Sequence, residues 1–155
     1  MKKIVNQITD ISQIQKELEL TVSGVLAFYS KDEEVVQDAV NFLYKDKNIF
    51  IFFDDEDEFY EKIDRDSLVS FTTIRSSSLE QNKMNEQPSD YYLFSITING
   101  SIKSVDDKKL LSLLLTDYSQ KYNLKSLQES TDILTKDRIL YIDSEEIQAF
   151  EEIGE

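Results

Sequence analysis

A chain of 155 residues has the length of one domain, and 40% apolar and 31% charged residues, with nine Phe and eight Tyr, supply enough core for that domain to fold. Seventeen Lys and Arg against 31 Asp and Glu leave a formal charge of −14, which opposes nucleic acid and anionic membrane as partners. The absence of Cys and His excludes disulfides, thiolate chemistry and imidazole as base or ligand, so any catalysis falls to carboxylates, Lys, Tyr or a bound cofactor.

No apolar run approaches the roughly 20 residues that span a bilayer, and Ile4-Val5-Asn6-Gln7 is not a signal peptide's apolar core, so the expectation is a cytoplasmic protein. Ile11, Ile14 and Leu18 recur at helical spacing behind Asp10 or Ser12 as cap, predicting a short amphipathic helix over one end of a sheet. Leu20–Tyr29 has strand composition, and the polar cluster from Ser30 to Glu34 turns it into a hairpin. Val35–Tyr44 and Asn48–Phe53 are two further strands joined by Lys45-Asp46-Lys47. The second of these is continuously apolar, as expected of a strand covered on both faces.

Asp54 to Glu58 followed by Phe59, Tyr60 and Ile63 predicts a helix of about two to three turns with acids in its first turn. Leu68–Ile74 and Tyr91–Lys103 are the fourth and fifth strands; between them, Arg75 to Asp90 is polar and aperiodic and is expected to be a long, mobile loop. Ser104 can cap a Leu-rich helix running from Val105 to Tyr118, apolar over enough of its surface to be buried on two sides. The segment from Asn123 to Thr135 carries no motif. Arg138–Asp143 is a sixth strand, and Ser144 with Glu145 and Glu146 opens a closing helix through Ile147 and Phe150.

Four passages in this order carry a family resemblance: Gly24-Val25-Leu26-Ala27-Phe28 with its hairpin, Asn48 to Phe53, Ser67-Leu68-Val69-Ser70-Phe71, and Ile98-Asn99-Gly100-Ser101-Ile102 followed by Val105-Asp106-Asp107. Together they resemble the FMN-binding split barrel of pyridoxamine 5′-phosphate oxidase and its relatives over roughly residues 20 to 120, and Ile139–Asp143 resembles that family's final strand. The resemblance implies an α+β fold, a six-stranded antiparallel split β-barrel with peripheral helices. It forms one domain over residues 1–155, with its core at about 20–143. It also implies a homodimer with FMN or another small molecule in the cleft between subunits, and at most a flavin-dependent oxidoreductase activity, with no catalytic residue assigned.

In that family a Ser or Thr and a Lys or Arg, spaced as S-x-K before an apolar residue, grip the flavin phosphate. Setting Ile63 at the apolar position puts Asp57 where the hydroxyl would be and Phe59 where the cation would be. A phosphate would then face Asp54 through Glu58, and each close like charge costs a few kcal/mol at an effective dielectric of about 20. Weak or absent FMN binding follows. Lys62, Arg65 and Arg75 are the remaining cations nearby and hence the candidate cofactor-binding residues. The family's Gly-x-Pro turn is replaced by Asp32-Glu33-Glu34. The alternative reading is a cofactor-free dimeric split barrel acting as a ligand- or protein-binding module.

The acidic run from Asp54 lacks the Gly and ligand spacing of a helix-loop-helix calcium site and reads as a solvated helix start, so no metal site is expected. Tyr91-Tyr92 reads as cross-strand packing more readily than as a stacking platform. Ser76-Ser77-Ser78 has no base to activate it. The continuous strand and the Leu-rich helix expose more apolar surface than one subunit covers easily, which again predicts a homodimer.

Overall fold

The computed structural model describes residues 3–77, 91–123 and 138–154. Seven antiparallel strands are found among them: β1 (Lys3–Ile8), β2 (Ser23–Tyr29), β3 (Val35–Lys45), β4 (Asn48–Phe52), β5 (Leu68–Ser77), β6 (Tyr91–Ser104) and β7 (Ile139–Gly154). They form one sheet in the order β1-β7-β4-β3-β2-β5-β6, and β6 also pairs with β7. Strands β2 to β7 therefore close into the expected six-stranded barrel, and β1 is a seventh strand outside it. The barrel is split because β7 changes neighbour along its length. Its first residues pair with β4, from Phe52↔Ile139 to Ile49↔Ile142, whereas its last pair with β1, from Ile8↔Ala149 to Lys3↔Gly154.

Inward side chains of the barrel form one core that includes Leu26, Phe42, Ile51, Phe71, Ile98 and Ile142. Helix α1 (Ile11–Leu20), capped by the Asp10 carboxylate accepting from Ser12 N–H at 2.9 Å, adds Ile14 and Leu18 to it. A second cluster joins Phe50 and Phe52 to Leu111, Leu114, Leu115 and Tyr118 of helix α2 (Lys108–Lys121). Strand β4 thus has the barrel core on one face and α2 on the other, which is why its sequence does not alternate.

Several expectations are corrected. Residues 54–63 are not a helix of two to three turns but two side-chain-capped turns and a single 3-10 turn at Tyr60–Lys62. Asp54 accepts from Glu56 N–H at 3.0 Å and Asp57 from Phe59 N–H at 2.9 Å, local bonds that compete with helical ones. No helix closes the chain: β7 runs on through Ser144 to Gly154, because β6 and β1 offer it ladders on both sides, which local helix-start signals cannot match. Lys3–Ile8 is a strand at the sheet edge because the end of β7 pairs with it.

Helix α2 is capped by Asp107, accepting from Lys109 N–H at 2.9 Å, and Ser104 ends β6 instead. It buries one face within the chain, and Leu113, 54% exposed, is left available to a second contact. Of the segment expected as a loop, Arg75 to Ser77 belong to β5, and 78–90 lie outside the described residues, as do 124–137.

Candidate functional site

Alternation along four adjacent strands sends one set of side chains out of the barrel. Across β3, β2, β5 and β6 the opposed outward residues run Gln37, Ala27, Ser70, Asn99 in one row and Ala39, Val25, Thr72, Thr97 in the next. Beyond them lie Val35, Tyr29 and Leu68 on one side and Asn41, Ser23, Ile74 and Ser95 on the other. None of these positions is charged, in a chain in which 31% of residues are. At one margin Tyr29, Val35 and Leu68 stand 68–70% exposed, an apolar rim unusual on a free surface.

A cavity of about 390 Å³ opens at that margin, walled by Ala27, Phe28, Tyr29, Val35, Leu68 and Val69, with Ser70, Asn99 and Glu145 as its polar groups. Glu145 reaches it through a β-bulge: Asn99 opposes Glu146 and Gly100 opposes Ser144, so Glu145 is the extra residue. Glycine is required opposite the bulge, since a Cβ at Gly100 would lie 2.1 Å from the Asp143 carbonyl oxygen. The Ser144 hydroxyl, buried in the same bulge, makes no hydrogen bond.

The second feature is the acidic turn after β4. Arg138, just before β7, donates from Nη1 to the Asp54 carbonyl at 2.9 Å, and its Nε lies 3.6 Å from Asp55 Oδ1. Its guanidinium and that of Arg65 both lie over the Tyr60 ring, 4.8 and 4.7 Å from the centroid. Asp38 is an inward position of β3, between the buried Val36 and Val40, and burial first, then the hydrogen bond and charge of Asp57 and the charge of Asp54, push its carboxyl up to about 7. The enclosed Asp38 Oδ2 finds no donor, and a proton held on Asp38 lets its carboxyl donate to Asp57.

No family model matches the sequence, and no curated protein matches it. Solved structures do. A protein put forward as a 5-nitroimidazole antibiotic resistance protein from Bacteroides thetaiotaomicron superposes with a TM-score of 0.72 at 12% identity, covering 99% of this chain and 91% of that one. A FAD-binding protein from Mesorhizobium loti gives 0.60 at 15% identity over 96% and 98% of the two chains. A protein from Listeria innocua put forward as a pyridoxamine 5′-phosphate oxidase gives 0.57 at 17% identity over 88% and 94%. The chain has the FMN-binding split-barrel fold.

The residues at the end of β4 do not fit the phosphate of FMN. A split barrel that grips an anion at this turn needs free N–H donors and a cation, but here the N–H groups of Glu56 and Phe59 are already bonded to Asp54 and Asp57. Arg138 is engaged with the same turn. Of the cations singled out in the sequence, Lys62 and Arg65 lie together at the far end of the turn. Lys62 Nζ is 5.7 Å from the Phe59 ring centroid, and Arg65 donates to the Ile63 carbonyl at 2.9 Å. Arg75 lies elsewhere, on β5 facing α1, where it donates to both carboxylate oxygens of the buried Glu17 at 2.5 and 2.7 Å.

Tyr91 and Tyr92 meet β7 across the ladder, donating to Glu152 at 2.6 Å and Glu151 at 3.1 Å. Among the described residues no cluster of three acidic groups is placed to hold a metal ion, and no helix is long and apolar enough to cross a membrane. Sequence reasoning missed Arg138, Asp38 and Glu145. An Asp within the Val36–Val40 alternation was a signal for Asp38, whereas nothing local to Glu145 announces a bulge.

Proposed function

We propose that this chain is a pyridoxamine 5′-phosphate oxidase-like split-barrel protein that works as a homodimer and holds a ligand between its subunits, with phosphate recognition lost. FMN is then bound weakly or not at all, and any flavin-associated redox role rests on recognition of the ring system. The FAD binding of the Mesorhizobium loti neighbour supports a flavin-type ligand in such a cleft. The self-bonded acidic turn is the single observation that argues against the phosphate. The uncharged outer face supports pairing: two copies carrying −14 each repel, and a surface free of charge is where they can meet at least cost.

Titration with FMN and with riboflavin tests this reading. FMN is expected to bind no tighter than riboflavin, and replacing Asp57 with Ser together with Phe59 with Lys should raise FMN affinity by an amount that shrinks with salt. A second reading has Lys62 and Arg65 hold the phosphate, and it is favoured by the absence of an ion pair at either among the described residues. A submicromolar FMN dissociation constant, lost in Lys62→Ala or Arg65→Ala, would overturn the first reading in favour of the second. Loss in Arg75→Ala instead would mean that the pair with Glu17 opens to admit the ligand.

A further inference from the structure

We propose that the 390 Å³ cavity beside the β7 bulge is a binding site for an uncharged or cationic planar aromatic compound carrying an N–H donor, with Glu145 as the group that orients it. The inference deepens the reading above, because the cavity opens on the uncharged face. It does not depend on pairing, since one chain builds every wall.

Three observations converge on it. The walls are apolar, and their outer members Tyr29, Val35 and Leu68 stand more than two-thirds exposed, so a flat apolar ligand removes surface that the fold itself leaves in water. The three polar groups are grouped and unspent. Ser70 and Asn99 are direct cross-strand neighbours, Glu145 is the bulge residue beside them, and among the described residues none of the three side chains has a hydrogen-bond partner. The chemistry is one-sided, because among the described residues no Lys or Arg lines the cavity and its one charged side chain is the Glu145 carboxylate. A ligand anion would meet Glu145 uncompensated, a donor N–H or a cation would be met by it, and Ser70 and Asn99 can serve either a donor or an acceptor on the ring. The bulge explains why Glu145 is available: as the extra residue it opposes no residue of β6, and it lines the cavity. Gly100 is the residue that permits it.

A matched series on one ring tests the assignment: naphthalene-2-carboxamidine, naphthalene-2-carboxamide and 2-naphthoate, titrated by fluorescence and by amide chemical shifts. The amidine and the amide are expected to bind, with shifts at Ser70, Asn99 and Gly100, and 2-naphthoate is expected to bind at least about tenfold more weakly than the amidine. Glu145→Gln should remove most of the amidine's advantage, and Asn99→Leu should weaken the amide. Glu19→Gln changes the net charge equally at a residue that lines no part of this cavity and should leave the series unchanged. Equal affinity for naphthoate and amidine, equal effects of Glu145→Gln and Glu19→Gln, or shifts confined to other surfaces would each overturn the proposal. Sedimentation of the same samples reads the dimer separately, so a monomer that still binds the amidine at Glu145 would remove the pairing and leave the site.

Discussion

The outer face of β3, β2, β5 and β6 and the turn at residues 54–58 are opposite solutions to one problem, where to put charge on a chain of −14. The face has alternating strands whose outward positions are Ala, Val, Ser, Thr, Asn and Gln. The turn is five acids in succession. Charge concentrated in the turn is tolerated because the acids work locally: Asp54 and Asp57 bond the turn's own amides, and Arg138 neutralises part of it. Charge withheld from the face leaves a surface able to meet another surface. The comparison teaches that the turn after β4 has been filled from within by its own acids, while the sheet face has been kept free of charge.

The largest expected effect comes from breaking the face. Val25→Glu puts a carboxylate at its centre, and juxtaposing like charges across an interface costs several kcal/mol, so the dissociation constant of the proposed dimer should rise at least about 100-fold with the melting temperature of the subunit little changed. Sedimentation velocity reads this directly, and an unchanged mass would show that pairing uses another surface. Next is Gly100→Ala, which forces β7 away from β6 at the bulge and should cost about 2–4 kcal/mol in urea unfolding.

The turn should respond to pH. A carboxyl raised from 3.8 to about 7 binds more protons folded than unfolded, so its contribution is full below the unfolded value, declines as pH rises through this window and levels off above about 7. Asp38→Asn keeps a donor toward Asp57 without the charge. It should therefore be neutral near pH 4 and stabilising by about 1–2 kcal/mol at pH 8, the figure being discounted for Asp38's partial exposure. Parallel pH profiles of the two proteins would show that Asp38 holds no proton in this window. The smallest effect belongs to Glu58→Gln at the exposed edge of the same turn, within about 0.5 kcal/mol at any pH.

Period and composition alone made much of this legible. The hairpin of β2 and β3, the two-sided β4, strands β5 and β6, and the amphipathic α1 with its Asp10 cap are all set by residues close in sequence, and their order carried the split-barrel resemblance. Asp57 and Phe59 stand where the resemblance places a hydroxyl and a cation, and their identity was legible in any conformation. What the tertiary structure decided is every feature that depends on a partner distant along the chain. Lys3–Ile8 is a strand because Ala149–Gly154 pairs with it, about 145 residues away, and Ser144–Gly154 is strand because β6 pairs with it along its length. Their local helix or coil signals are worth less than the hydrogen bonds and packing of a sheet edge. Glu17 and Arg75 find each other across 58 residues, and Glu145 becomes a cavity group because a glycine on β6 lets the backbone of β7 bulge. Local periodicity fixes which face of an element is apolar. Only closure of the barrel determines what each face meets.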